Sequence, residues 1–296
     1  MNPQNLPTIG IIGVGKLGLS LTRILRRAGY PVIGMSLDPM DEFRELGGTV
    51  VQSARDIGAQ ADITIECLGS EPAATALLPQ YLEGSTAGKA YISLSTYHPE
   101  FKEAEGKTLK QHGIDYIDAT ISGGPARLDK GESIIYVGSD DPAIIERCAP
   151  LLSVITRQWH HSGTVGSAAK LKLVNNALGF VHNVATAEAL ALAEKMGLDP
   201  ERVIPLLAGG TGSSTSLLVR GPLMARRDYD PPSGDMAGAV LVLDTILDFA
   251  QQHGAKMTLL DQAGSFYRRA LEQGLHKRDI AEVYEMICPK TPEKPA

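Results

Sequence analysis

The 296-residue sequence predicts an α/β half followed by an all-α half. Three observations carry that prediction. Short β-branched runs alternate with helix-period segments through the first half, a glycine-rich turn joins the first run to the first helix, and strand signals stop after Gly166.

The first run, "TIGIIG" at 8–13, reads as a buried parallel strand. It leads straight into Gly13-Val14-Gly15-Lys16-Leu17-Gly18, after which Leu17, Leu21, Ile24, Leu25 and Ala28 recur at helical spacing and Gly29 ends the helix. The next strand is "PVIGM" at 31–35. A G-x-G-x-x-G alone makes ordinary turns. Between a strand and a helix it is a dinucleotide fingerprint: the first Gly makes the turn, the second admits a pyrophosphate, and the third lets the helix lie on the strand. Unpaired N–H groups at the helix start then face the phosphates.

The choice of dinucleotide falls at the end of the second strand, at Ser36-Leu37-Asp38-Pro39. Ser36 is neutral, Asp38 would repel a 2′-phosphate, and Arg44 is a solvated cation on the following helix. The expected cofactor is therefore NAD, with NADP as the alternative.

Further strands are expected at 62–68, 90–96, 114–119 and 133–138, with a charged amphipathic helix at 100–112 and a turn at "DKGE". Parallel strands separated by helices form a doubly wound, Rossmann-type sheet whose ligands sit at the strands' carboxyl ends. That places three loops at the site: Leu68-Gly69-Ser70, Ser95-Thr96 and Ser122-Gly123-Gly124. The last exposes side-chain-free amides and a hydroxyl, a nest for a carboxylate or simply a flexible loop before Pro125.

A long helix is expected at 167–196, ended by Gly197, followed by helical segments at 200–210, 235–253, 256–273 and 277–287 and a disordered Pro/Lys tail. The organisation is a dinucleotide-binding domain at 1–163 and a helical substrate and dimerisation domain at 164–296. The apolar helices predict a homodimer or homotetramer.

Bulk composition sets outer limits. With 43% hydrophobic and 21% charged residues the chain is a soluble globular protein long enough for two cores. A net charge of −6 argues against nucleic acid or anionic membrane as partner, leaving a small-molecule substrate. "MNPQNLPT" lacks a signal peptide's basic and apolar regions, and no run approaches the ~20 apolar residues of a membrane span. Cys67, Cys148 and Cys288 read as three buried reduced thiols. The expectation is a cytoplasmic protein without a metal site.

The most informative stretch is 163–183, "GTVGSAAKLKLVNNALGFVHN". Lys172 and Asn176 stand at i and i+4 and share a helix face, with Asn175 beside them. Alone, such a pattern is a solvated stripe. Its context changes that, because "GVGKLG", "STYHP" at 95–99, "DATISGG" at 118–124 and "GTVGSAAKLKLVNN" at 163–176 together resemble the β-hydroxyacid dehydrogenases, the group that includes 3-hydroxyisobutyrate dehydrogenase.

The resemblance implies a role for each segment. Lys172 is the general acid/base, and Asn176 holds it in line with the substrate oxygen. Lys170, about 200° round the helix, faces elsewhere. Ser122, Gly123, Gly124 and Asn175 bind the substrate, Thr96 borders the nicotinamide ribose, and Leu68 and Gly69 join Ser36 and residues 13–18 at the cofactor. The implied reaction moves hydride between nicotinamide and a small 3-hydroxy acid or β-hydroxy amino acid.

The chain departs from the family pattern in three places. Thr120 replaces a Pro, Ala168 replaces a Gly, and, counting back from Gly254, Leu241 and Val242 replace a Lys-Asp pair. Losing that cation points to a substrate less anionic, or more apolar, than a simple hydroxy acid, unless an insertion near "PPSGDMAGA" shifts the count. Three rival readings follow. A decarboxylating sugar-acid phosphate dehydrogenase would use Arg220, Arg226 and Arg227 as a phosphate cradle. An imine reductase lacks the Lys-Asn helix. A non-catalytic dinucleotide-binding protein would keep the fold without turnover.

Overall fold

The computed structural model describes residues 6–230, 232 and 234–289. Its first half alternates strand and helix. β1 (Ile9–Ile12), α1 (Lys16–Arg27), β2 (Val32–Met35), α2 (Asp41–Glu45), β3 (Thr49–Val50), α3 (Ala54–Gln60) and β4 (Ile63–Glu66) come first. α4 (Glu71–Gly84), β5 (Ala90–Ser93), α5 (Pro99–Gln111), β6 (Asp115–Ser122), α6 (Gly124–Asp129), β7 (Ile134–Gly138), α7 (Pro142–Ile155) and β8 (Gln158–Gly163) complete it.

The eight strands form one sheet in the order β3-β2-β1-β4-β5-β6-β7-β8. The order reverses between β1 and β4, the switch point where such sheets open a ligand crevice. Alternation along the strands supplies both faces. Ile9 and Ile11 join Leu21, Leu25, Cys148 and Leu152 from α1 and α7 in one core. Ile12 joins Ile57, Tyr81 and Leu109 from α3, α4 and α5 in another.

The pairing of β6 with β7 is antiparallel, not parallel. The link from Ser122 to Ile134 is too short for a parallel crossover, which takes a dozen or more residues. The turn expected at "DKGE" is preceded by the one-and-a-half-turn α6. β3 and β8 have no counterpart in the sequence reading. Asp141, Ser70 and Ser53 each cap the helix that follows them by accepting a backbone N–H.

α8 (Ser167–Lys195) follows, then α9 (Pro200–Ala208), α10 (Thr215–Arg226), α11 (Met236–Gln252), α12 (Thr258–Glu272) and α13 (Val283–Ile287). The helix expected at 277–287 is instead a 3-10 turn at Ile280–Glu282 leading into the five-residue α13, because Asp279 turns back to cap Ala281. The Pro/Lys tail lies largely outside the described residues. Residues up to Lys172 form one compact unit and those from Leu173 a second, so α8 begins in one and ends in the other.

The second unit has its own core of Leu173, Phe180, Leu190, Met224, Leu243, Tyr267 and Tyr284. Asn183 is buried there and donates to Tyr267 Oη and the Ile280 carbonyl, both at 2.9 Å. Among the described residues no helix is long and apolar enough to cross a membrane. Cys148 and Cys288 are buried free thiols, and Cys67, just after β4, is free and half-buried.

Candidate active site

The parallel strands β1, β4, β5 and β6 end on one edge of the sheet, which brings the loops after them together. Gly13 donates from its N–H to the Met35 carbonyl at 3.0 Å, and Cys67 donates to the Ile12 carbonyl at 2.8 Å, so three loop starts are tied to one another. Gly13 needs its identity: its φ is +94°, and a Cβ would stand 2.5 Å from the Cys67 carbonyl oxygen. A Cβ on Gly18 would reach 2.7 Å from the Gly13 oxygen, so this residue sets how closely α1 starts beside its strand.

Gly15 caps α1 without a side-chain hydrogen bond, and a Cβ there would meet nothing within 4 Å. The first-turn amides thus open on a cradle that a side chain would fill. Uncapped N–H groups at a positive helix end fit a pyrophosphate. Val14 is buried, Leu17 half-buried and Lys16 exposed. Ser36 sits at the tip of β2, where its hydroxyl accepts from Asp38 N–H at 3.2 Å. Arg44 lies on the surface of α2, 3.0 Å from Asp41.

Leu68 N–H donates to Ser95 Oγ at 2.8 Å, joining the loop after β4 to the loop after β5. Gly69 and Thr96 are exposed at the same edge. Ser122 ends β6, opposite Ile134, and Gly123 and Gly124 follow with φ of +120° and +63°. A Cβ on Gly124 would meet nothing within 4 Å, leaving its backbone approachable.

α8 starts beside β6. Asp118 Oδ2 accepts from the Ala168 and Ala169 amides at 3.1 and 3.2 Å, and Thr120 Oγ1 donates to the Ala168 carbonyl at 3.1 Å. Two of the departures from the family pattern, Thr120 and Ala168, therefore bond to each other. One turn on, the two lysines of "KLK" part. Lys170 is exposed and pairs with Glu103 at 2.9 Å. Lys172 is half-buried, and among the described residues no carboxylate lies within 4 Å of its ammonium. Desolvation pulls it from the usual lysine range down to about 8. Asn175 and Asn176 are half-buried on the next turn. The helix is less uniformly buried than its apolar composition implies: Leu173 and Ala177 are in the core, but Val174 and Leu178 are more than half exposed.

The sequence reading missed a buried polar cluster below this edge. Glu66, Lys102, Glu105 and Asp118 are all shielded from water. Burial, with the Glu66 charge adding to it, raises Glu105 to about 7. A carboxyl held above its unfolded value prefers the protonated form when folded, so its ionisation costs stability as pH rises from about 4.5 to about 7. Glu105→Gln keeps an acceptor for Tyr116 Oη, which donates to Glu105 at 2.7 Å. The variant should be more stable than wild type at pH 8 by on the order of 1–3 kcal/mol, with the gain vanishing towards pH 4.5. Denaturant melts across that range would show a flat difference if the reasoning fails.

The arginines offered as a phosphate cradle are each engaged elsewhere. Arg220 pairs with the buried Asp279 at 2.8 Å, Arg226 with Glu201 at 3.7 Å, and Arg227 with Glu285 at 2.5 Å. α11 runs unbroken from Met236 to Gln252 and carries both Leu241 and Val242. Among the described residues no three His, Cys, Asp or Glu side chains are grouped to hold a metal. A groove of 590 Å³ between α5 and the start of β6, lined by Glu103, Lys107, Lys110 and Asp140, contains none of the predicted site residues.

Residues 8–164 match the family model described as the NAD binding domain of 6-phosphogluconate dehydrogenase. Residues 166–287 match that described as NAD-binding of NADP-dependent 3-hydroxyisobutyrate dehydrogenase. L-threonate dehydrogenase of Cupriavidus necator is 28% identical over 294 residues, covering 94% of this chain and 95% of the relative. 2-Hydroxy-3-oxopropionate reductase of Escherichia coli is 31% identical over 227 residues, 75% of this chain and 77% of the relative. In fold, 3-hydroxyisobutyrate dehydrogenase of Mycobacterium tuberculosis, solved with L-serine, superposes with a TM-score of 0.85 at 24% identity, covering 96% of this chain and 99% of that one.

Proposed function

The chain belongs to the 3-hydroxyisobutyrate dehydrogenase-like β-hydroxyacid dehydrogenases, NAD(P)-dependent oxidoreductases of the CH–OH group, and from that premise we propose that it oxidises a small 3-hydroxy acid or β-hydroxy amino acid with Lys172 as the proton acceptor. The observation that carries this reading is the contrast between the two lysines of α8. Lys170 is exposed and stands 2.9 Å from Glu103, whereas Lys172 has no carboxylate within 4 Å among the described residues and burial shifts it down to about 8. A lysine shifted to about 8 can pass a proton near neutral pH.

In this reading residues 1–163 bind the dinucleotide and 164–296 form the helical substrate and dimerisation domain. Gly13 and Val14 shape the turn with their amides on the Met35 carbonyl, the amides of residues 15–18 at the α1 N-terminus hold the pyrophosphate, Ser36 meets the adenosine ribose, and Leu68, Gly69 and Thr96 border the nicotinamide end. The nicotinamide, when bound, supplies the hydride acceptor. Neutral Lys172 takes the hydroxyl proton as the C–H bond breaks, and in the reverse direction its ammonium returns it. Asn176, one turn along the same face, holds the lysine and the substrate oxygen in line. Ser122 and the Gly123 and Gly124 amides receive the carboxylate, with Asn175 beside them.

NAD is favoured over NADP because Asp38, two residues after Ser36, would repel a 2′-phosphate. Leu241 in place of a lysine favours a substrate that is less anionic, or more apolar, than a simple hydroxy acid, and the ion pairs of Arg220, Arg226 and Arg227 weigh against a phosphorylated sugar acid. Relatives named for L-threonate and L-serine fit this substrate class. We place the enzyme in the cytoplasm, as a homodimer or homotetramer.

The experiment is reduction of NAD⁺ and NADP⁺ against a panel of 3-hydroxy acids and β-hydroxy amino acids. Turnover is expected on at least one of them, with NAD⁺ preferred. Binding of nucleotide with no turnover across the panel, or turnover only on a phosphorylated sugar acid, would overturn the substrate assignment.

A further inference from the structure

Glu66 is a fully buried carboxylate at the end of a central strand, where an apolar residue would be expected. It accepts from Ser93 Oγ at 2.7 Å, from Tyr97 Oη at 2.5 Å and from Ser95 Oγ. Ser95 in turn accepts from Leu68 N–H, so one carboxylate fixes both the 67–70 and the 94–97 loops. Ser93 passes the contact on: its hydroxyl accepts from Lys102 Nζ at 2.7 Å, and its carbonyl accepts from the same ammonium at 2.8 Å. Lys102, itself fully buried, stands 3.7 Å from Asp118 Oδ1. The other oxygen of Asp118 holds the Ala168 and Ala169 amides of the α8 first turn.

We propose that Glu66, Ser93, Lys102 and Asp118 are positioning residues forming one buried relay, which keeps the nicotinamide-side loops in register with the helix that carries Lys172. The inference rests on the site assigned above. Its physical basis is that Lys102 compensates the buried carboxyl groups of Glu66, Glu105 and Asp118, and none of these charges is tolerable alone. A buried ammonium without its carboxylates, or a carboxylate without the ammonium, is left uncompensated in a low-dielectric interior, so displacement at one end forces rearrangement at the other. Asp118 Oδ1 has no hydrogen-bond donor of its own and depends on Lys102 for compensation. Hydride transfer and proton transfer must occur on one substrate carbon and its oxygen together, and the relay joins the two elements that set those positions.

The test places Glu66→Gln at one end of the relay and Asp118→Asn at the other. Amide hydrogen exchange at Ala168 and Ala169 should accelerate about tenfold in Glu66→Gln, although Glu66 touches neither residue. With a substrate in hand, kcat should fall about tenfold while KM changes little, and the double variant should lose far less than the product of the two single losses. Should Asp118→Asn fail to fold, Ser93→Ala breaks the relay at its centre without changing any charge and takes its place in the cycle. Unchanged exchange at Ala168 and Ala169 in Glu66→Gln, or losses that simply multiply, would overturn the relay. The exchange measurement needs no substrate, so it decides the relay even if the proposed substrate class is wrong.

Discussion

Lys172→Met is expected to abolish most turnover while making the protein more stable. The activity side is the loss of a positioned proton acceptor, about 10²-fold or more in kcat. The stability side follows from the shift of Lys172 from 10.5 to about 8. A lysine whose folded value lies below its unfolded value binds fewer protons when folded. Its ammonium is therefore held at a cost at neutral pH, and wild-type stability rises between about pH 8 and 10.5 as that cost disappears. Methionine has a similar shape and no charge, so the variant should gain about 1–3 kcal/mol at pH 7 and nothing above pH 10.5. Gain of stability with loss of activity is the mark of a residue retained for chemistry. A purely structural lysine would give the opposite sign.

Gly13→Ala should have the largest effect on nucleotide binding. Two penalties coincide there: a φ of +94°, and a new Cβ set 2.5 Å from the Cys67 carbonyl oxygen and 2.9 Å from its carbon. Neither atom belongs to a flexible side chain, and Cys67 is itself bonded to Ile12. The turn must move, which costs about 3 kcal/mol and displaces the α1 amides from the phosphates. Titration calorimetry should show NAD⁺ affinity reduced at least about 100-fold. Gly69→Ala meets nothing within 4 Å and should change the melting temperature little, so the pair separates a steric effect from the mere loss of a glycine.

What could be read from the sequence was what backbone geometry dictates. The glycines of 13–18 are legible because only they satisfy the turn and the close approach, and α8 is legible because Gly197 ends it after an uninterrupted helical run. β8, "QWHHSG", was not, since none of its residues is fully buried and they give no apolar alternation. The antiparallel direction of β7 is set by the length of its link, not by its residues. Lys172 and Asn176 could be singled out together because they recur one turn apart, and the structure adds what distinguishes Lys172 from Lys170, namely Glu103 from a distant helix. The relay was hidden for a related reason. Lys102 and Glu105 lie in "PEFKEAEGKTLKQ", where every charged residue looks solvated, and only packing against β5 and β6 reveals that these two face inward.

Proton acceptance by Lys172 is the step on which the proposed reaction turns. The direct measurement is the pH dependence of kcat/KM for oxidation of the best panel substrate, by wild type and by Lys172→Ala. If Lys172 must be neutral to take the hydroxyl proton, the wild-type rate rises with pH to a plateau with a midpoint near 8, and the variant's small residual rate lacks that limb. The same rising limb in Lys172→Ala, or a variant that turns over as fast as wild type, would contradict the mechanism.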